Sequence, residues 1–577
     1  MSAYWKVDDT MRIGQKFISI PSENGLEYEE NQKIQLFVDP STKYMDGHNS
    51  YLEFFVKINL PSGTPTPTRL QLDEMGANCL IKNIRIYDGT RGQILEELDS
   101  YSSLCSVRYD YDADDSIRNV RALREGSSVH TPSNRGTEGT SKTAMANTLT
   151  NPYFKVKKGD QNASWKDSDF IKAKCCIPLH TGIFAQNEHI FPVMMTNGLY
   201  IEIDTAPARE VIKQLDSVLR YRRSKLNPWF HSIDGAVTTM AANASNHTTF
   251  YIQQKNNLSG SDAVSRMPFV VGEKFGFCDA STPETATNLS GTFYISEINL
   301  STNGLIEVKT NASFQNNGAG AVAVTQNFVM YSTAVSAATS YDATYTISNV
   351  NLVVSQVELD PAYERGMIQK VREGKAIEID ILTATNYKNS ILASDRQTTY
   401  QVYAQNSRAK SLLVIPQDST VYSAKDAISG TGTYEIVENG DDDEGMLTSN
   451  RSGYTGICDE LQEIQYQLEG RLVPSRAINV SKIASRQSID AFHLYELEKC
   501  LDNAGIIPRS FRAFRTNFVF GRGFAVNQGA IDLRGKDLAV ILKYTGAFAP
   551  AKPKMFNSFI IHVRRFMIRD GGVEVIA

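Results

Sequence analysis

The chain has 577 residues, a formal net charge of −5, and 41% hydrophobic and 10% aromatic residues. That length exceeds what one hydrophobic core ordinarily supports, so two or more compact units are expected, and the acidic balance excludes wholesale coating of nucleic acid. Seven scattered cysteines, an odd number, argue against a disulfide framework, and no run approaches the roughly 20 apolar residues that a bilayer demands.

The opening MSAYWKVDDTMRIGQKF lacks an apolar core of signal-peptide length, so an intracellularly made, soluble chain with no transmembrane segment is expected. Residues 1–30 read as a polar amino-terminal arm in which Tyr4 and Trp5 stand out. KIQLFVDPSTKYMDGHNSYLEFFVKINL then gives two strands, the second with Leu52, Phe54, Val56 and Ile58 on one face and Glu53, Lys57 and Asn59 on the other. NCLIKNIRIYDG supplies a strand that ends at the turn signal Asp88-Gly89. ILEELDSYSSLCSVRYDY reads as a helix with Leu95, Leu98 and Ser102 on one stripe.

After a Ser/Thr/Asn-rich loop from about Gly126 to Asn151, IPLHTGIFAQNEHIFPVMMTNGLYIEIDT reads as strand, tight connection and strand. In its second strand Leu199, Ile201 and Ile203 alternate with Tyr200, Glu202 and Asp204. Composition changes over 227–340, where Asn, Thr, Ser, Gly and Ala dominate; this is read as an exposed, β-rich insertion. ATYTISNVNLVVSQVEL follows as a strand pair returning to the first sheet.

From Gly374 the pattern repeats. KAIEIDILTATNY and TTYQVYAQNS alternate as strands, IQYQLEGRLVPSRAI follows, and SIDAFHLYELEKCLDNAG is a helix with Leu494, Leu497 and Leu501 at i, i+3 and i+7 and Gly505 as its cap. GAIDLRGKDLAVILKYTG and NSFIIHVRRFMIRDGG close the chain as strands. Both halves thus run strand, strand, helix, strand, strand. Antiparallel strands at this spacing imply an all-β chain of two tandem jelly-roll sandwiches of about eight strands each. They are placed at 31–373, including the 227–340 insertion, and at 374–577.

Chemistry is harder to find. None of the eight histidines falls at metal-ligand spacing, and His180 and His189 have no partner in sequence. Asp110, Asp112 and Asp114 begin like a calcium loop, but Asp115 replaces the turn glycine and Arg121 the closing glutamate. GDDDEG from Gly440 to Gly445, and Arg220, Arg222, Arg223 and Lys225, read as solvated charge. FGRGFA, with Gly521-Arg522-Gly523, matches no nucleotide-binding fingerprint, and no G-x-S-x-G elbow occurs. Sequons at Asn243, Asn246, Asn257, Asn288, Asn299 and Asn311 crowd the insertion, with Asn162, Asn450 and Asn479 elsewhere; polar composition produces such triplets by chance. No catalytic, cofactor-binding or metal-ligating residue is assigned.

Four stretches carry a family resemblance: QLFVDPSTKYMDGHNSYLEFFVKI, IPLHTGIF with GLYIEID, YTISNVNLVVSQVEL, and YQLEGRLVPSRAI with the terminal strands. In order and over most of the chain outside the insertion, they resemble the double jelly-roll major capsid proteins of icosahedral double-stranded DNA viruses, most of all those of virophages and polinton-like viruses. The resemblance implies a non-enzymatic protein that forms homotrimeric, pseudo-hexagonal capsomers. Its partners would be neighbouring capsomers, a penton protein and minor or cement proteins, with no sequence-specific nucleic-acid binding. It implies manufacture in the host cytoplasm and residence in the virion shell, with 227–340 rising as a tower placed to contact a host surface. A jelly-roll receptor- or glycan-binding fibre, with Trp229 and Phe230 as a sugar platform, is the competing reading. A cupin-type enzyme would need a histidine and carboxylate cluster that is missing from the sequence.

Overall fold

The computed structural model describes residues 12–59, 70–73, 75–113, 173–185, 190–214, 344–392, 395–418, 461–480, 491–509, 517–524, 529–544, 553–569 and 572–576, five strand segments between 249 and 332, and residues 117, 120, 121, 124–126, 454 and 456. In chain order the first unit runs β1 (Arg12–Pro21), β2 (Glu27–Tyr28), β3 (Lys33–Val38), β4 (Tyr44–Asn59), β5 (Leu70–Leu72), β6 (Ile81–Asp88) and β7 (Ile94–Leu98). Helix α1 (Tyr101–Tyr111), β8 (Ala173–Ile177), the short helix α2 (Gly182–Ala185), β9 (Leu199–Thr205), α3 (Ala208–Val211) and β10 (Ile212–Gln214) follow. Five strands, β11 (Thr249–Ile252), β12 (Lys274–Asp279), β13 (Phe293–Leu300), β14 (Ile306–Thr310) and β15 (Phe328–Ser332), form a sheet of their own before β16 (Thr344–Leu359) and α4 (Pro361–Arg372). The second unit contains β17 (Ile377–Ile391), β18 (Gln397–Val402), β19 (Ala409–Asp418), β20 (Leu461–Leu468), β21 (Arg471–Asn479), α5 (Ala491–Asn503), β22 (Phe520–Gly523), β23 (Leu538–Tyr544), β24 (Lys554–Arg569) and β25 (Gly572–Ile576).

The strand order decides the fold. In the first unit one sheet is ordered β1-β16-β4-β8 and the other β3-β9-β6-β7; in the second they are β17-β24-β19-β22 and β18-β23-β20-β21. If the eight principal strands of each unit are lettered B to I along the chain, both units read B-I-D-G facing C-H-E-F, which is the jelly roll. The protein is therefore two tandem jelly-roll sandwiches, and β11–β15 are inserted between strands H and I of the first.

Period-two patterning produces the layers. Ile34, Leu36 and Val38 of β3 and Leu199, Ile201 and Ile203 of β9 are buried between the sheets, while Lys33 and Glu202, 2.9 Å apart, and Arg85 and Asp204, 3.1 Å apart, lace the outer face. Tyr200, expected outside by alternation, is only 2% exposed because the Arg91 guanidinium lies 3.4 Å over its ring.

Several sequence expectations are corrected. Residues 12–21 are not part of an arm but form β1, paired with β16 from Leu359 to Asn351. The helix expected over ILEELDSYSSLCSVRYDY is a strand followed by a helix: Leu95 and Leu98 lie in β7, and Ser100, at φ 55°, breaks the chain before α1. The connection between β8 and β9 is not tight, because those strands lie in opposite sheets and the chain crosses between them through α2 and a 3₁₀ turn at Val193–Thr196. The strand pair expected over ATYTISNVNLVVSQVEL is the single strand β16; Asn349, which resembles a turn residue, sits at φ 52° in a register shift between Ser348 and Asn351.

Helix α5 ends as its sequence implies. Gly505 has φ 67°, its N–H bonds Asp502 O at 3.0 Å, and Ile506 N–H reaches back to Leu501 O at 2.9 Å, the paired bonds of a Schellman cap. Gly505→Ala forces a side chain into the left-handed region, and we expect a loss of about 1 kcal/mol by urea denaturation; an unchanged midpoint would contradict this cap.

Candidate functional site: the seam between the sandwiches

The two sandwiches meet along a seam built from β7, α1 and α2 of the first and β17, β19, β24 and the residues around α5 of the second. Helix α1 is the central element. Ten of its eleven residues are buried, although it has no strong apolar stripe, because a different partner covers each side.

Polar side chains knit this contact. Tyr111 OH donates to Asn517 O at 2.7 Å, and Asn517 Nδ2 donates to Asp110 Oδ2 at 2.6 Å. Asn517 Oδ1 in turn accepts from Gly456 N–H at 2.8 Å. Ser106 Oγ donates to Tyr454 O at 3.1 Å, Gln417 Nε2 donates to the same carbonyl at 2.6 Å, and Asn557 Nδ2 donates to Gln417 Oε1 at 2.7 Å. A connected buried network of this kind favours one docking geometry over neighbouring ones, since a slipped arrangement leaves buried groups unpaired.

Glu96 of β7 is the most demanding member. It is 1% exposed and accepts from the Gly182 and Ile183 N–H groups of α2 and from Thr383 Oγ1 of β17, at 2.6 Å for the last. Burial pushes its carboxyl up from the usual range, opposed by those three donors and by the nearby Arg564 guanidinium. Arg564 of β24 donates to Leu95 O at 2.8 Å, and burial lowers its own affinity for its proton. A cavity of about 30 Å³ lies beside Glu96, lined by it and by Arg108, His180, Thr383, Ala384 and Ile561 among others; that is room for one or two water molecules.

Close backbone approach is a second requirement. A methyl group on Gly182 would stand 2.7 Å from Leu382 O and 3.0 Å from Glu96 Oε1. We therefore expect Gly182→Ala to cost about 1–3 kcal/mol through overpacking, measured as a lower urea midpoint; a variant as stable as the parent would show that the seam can give way there.

Of the residues singled out by sequence, His180 lies at the seam, where burial and then Arg108, Arg121 and Arg124 hold its ring well below the ordinary histidine range. Asp110 serves the network rather than a cation. Asp112 lies 3.8 Å from Arg509, and Arg121 pairs with Glu125 at 3.0 Å. Gly521 and Gly523 lie in β22 against α5, and Arg522 pairs with Glu496 at 2.7 Å. Asn299 falls in β13 and Asn479 in β21. His189, Asp114, Asp115, Tyr4, Trp5, Trp229, Phe230, the 220–225 basic cluster, the 440–445 acidic run and the other sequons lie outside the described residues. Among the described residues no three His, Cys, Asp or Glu side chains form a metal-ligand group, and no helix is long and apolar enough to cross a membrane. Sequence reasoning missed Glu96, Ser106, Thr383, Gln417, Tyr454 and Asn517, whose partners are distant along the chain.

Fold and seam together define a tandem double jelly roll whose halves are locked into one unit. No family model matches the chain, and no curated protein does. Among solved structures it is similar to the quasi-atomic capsid of the virus PBCV-1, at 10% identity over 99% of this chain and 98% of that one with a TM-score of 0.47. It is similar too to the Faustovirus major capsid protein, at 8% identity over 97% and 92% with a TM-score of 0.48. The mavirus major capsid protein gives 10% identity over 100% and 94% with a TM-score of 0.33. The jelly-roll assignment rests on the strand order itself.

Proposed function

We propose that this chain is a major capsid protein, a structural and non-enzymatic subunit of an icosahedral shell around a double-stranded DNA genome. The observation that carries the reading is the same B-I-D-G and C-H-E-F order in two sandwiches, fixed against each other by a buried seam. A chain built this way presents two similar wedges at a set angle, and three such chains supply six wedges for a pseudo-hexagonal tile. On this reading the jelly-roll modules divide near Gly374, the tile sits in the virion shell among neighbouring capsomers, penton and cement proteins, and the β11–β15 sheet rises outward as a tower. The energy of such a protein resides in sheet burial and interfaces rather than in a reaction.

Native mass measurement tests this directly. We expect about 192 kDa, three times the 64.1 kDa chain. A species that stays at 64.1 kDa at all concentrations and salt conditions would contradict the tile.

A further inference from the structure

The cavity at the seam is lined by more positive charge than its neighbours answer. Its polar lining is Glu96 of β7, Arg108 of α1, His180 and Thr181 just ahead of α2, and Thr383 of β17; the rest is Leu, Ile, Ala and Gly. The acidic member is already engaged. Glu96 Oε1 accepts from Gly182 N–H and Thr383 Oγ1, and Oε2 from Ile183 N–H, while the Arg564 guanidinium offsets its charge.

The basic members are not engaged in this way. Among the described residues the Arg108 guanidinium reaches only the carbonyls of Gly505 and Ala504, at 3.4 and 3.5 Å, and forms no ion pair. Its Nε is sealed from solvent and has no partner. The neighbouring arginines differ: Arg121 and Arg124 pair with Glu125, and Arg509 pairs with Asp112. His180 Nε2 is likewise sealed and unpartnered, and the charges acting on its ring are Arg108, Arg121 and Arg124, with no carboxylate among them.

A guanidinium nitrogen held out of water calls for a counter-charge. A water molecule answers the hydrogen bonds and leaves the charge, whereas a small anion answers both. The space, about 30 Å³, admits a halide-sized ion and is too small for a five-atom anion such as sulfate or phosphate. We infer that the seam binds one monovalent anion of chloride size, which accepts from Arg108 Nε–H and from the His180 ring as its Nε2–H tautomer.

Both ligands belong to the first sandwich, and Leu382, Thr383, Ala384 and Ile561 of the second close the opposite wall. Only the docked seam encloses the ion, so the ion stabilises docking by mass action. Taken whole, Arg108 and His180 are only half-buried, which gives the ion a short path to solvent. The inference concerns the seam alone and stands apart from the capsid reading.

Urea unfolding of the full chain at pH 7.5 and constant ionic strength, with sodium chloride exchanged for sodium gluconate, tests this site. Stability is expected to rise with the logarithm of chloride concentration, each tenfold increase above the dissociation constant raising the folding constant about tenfold. Sulfate should behave as gluconate does. His180→Leu and Arg108→Met are each expected to abolish the chloride dependence. Equal midpoints in chloride and gluconate, a rise that sulfate reproduces, or a chloride dependence that survives in either folded variant overturns the inference. Should the variants misfold, crystals of the parent grown in sodium bromide decide: an anomalous peak between Arg108 and His180 is expected, and a cavity holding water alone overturns the site.

Discussion

Replacing Glu96 with alanine is expected to uncouple the two sandwiches and to cost about 3–5 kcal/mol. The carboxylate is buried and holds three donors at once, two of them backbone N–H groups of α2 and one the Thr383 hydroxyl of the other sandwich. Its removal leaves those donors in a site with little water and deprives the Arg564 guanidinium of its neighbouring negative charge, and unsatisfied buried groups are costly. Measured against a typical domain stability of about 5–15 kcal/mol, the loss is large. The parent should unfold in urea as one transition, the variant as two, with the sandwich of lower stability melting first. Glu96→Gln retains one acceptor but places amide hydrogens near the α2 N–H groups, so an intermediate loss is expected. A Glu96→Ala midpoint within about 0.5 kcal/mol of the parent, the size of an ordinary surface change, would mean that the seam is held by apolar contact alone.

The second large effect is acid sensitivity. Burial, aided by Arg564, depresses His562 from 6.5 to about 4, and its Nε2 lies 2.9 Å from Thr385 Oγ1; His180 is depressed likewise. A histidine whose folded pKa is lowered stays neutral in the native state while the unfolded chain takes up its proton. The resulting stability is therefore full above the unfolded value of 6.5 and is lost as pH falls from there towards about 4. Each such histidine contributes a slope of about 1.4 kcal/mol per pH unit. Glu96 acts in the opposite sense, since its raised pKa favours proton uptake by the folded state as pH falls, so the net slope should be shallower than two histidines alone would give. Urea midpoints at pH 7.5, 6 and 5 should fall in that order, and His562→Gln should flatten the trend by about one proton. Midpoints that rise on acidification in both proteins would refute the assignment.

Much of the fold is legible in the sequence because a half-buried strand writes its own period. Ile34, Leu36 and Val38, Leu199, Ile201 and Ile203, and Ile377, Ile379 and Ile381 each alternate with polar residues, and each set is buried. The helix at α5 is equally plain, with Leu497 and Leu501 buried and Gly505 at its cap. What is not legible depends on single backbone conformations or on distant partners. Ser100 and Asn349 adopt positive φ without being glycine, and no local pattern announces that; the first splits a strand from a helix, and the second bends a strand that reads as a hairpin. The seam was invisible for another reason. Glu96 looks like an ordinary acidic residue in a strand, and only the fold brings Thr383, 287 positions away, to its oxygen. The Asp110 to Asp114 run resembles a metal loop, yet Asp110 answers Asn517 across 407 positions.

The most direct test of the central proposal is single-particle electron microscopy of the purified, assembled protein. The expected image is a particle with a hexagonal outline in which six sandwiches, two from each of three chains, surround a common axis, with the β11–β15 sheets on one side. A monomer, an elongated fibre, or a ring in which the two sandwiches of a chain are separated at the Glu96 seam would contradict it.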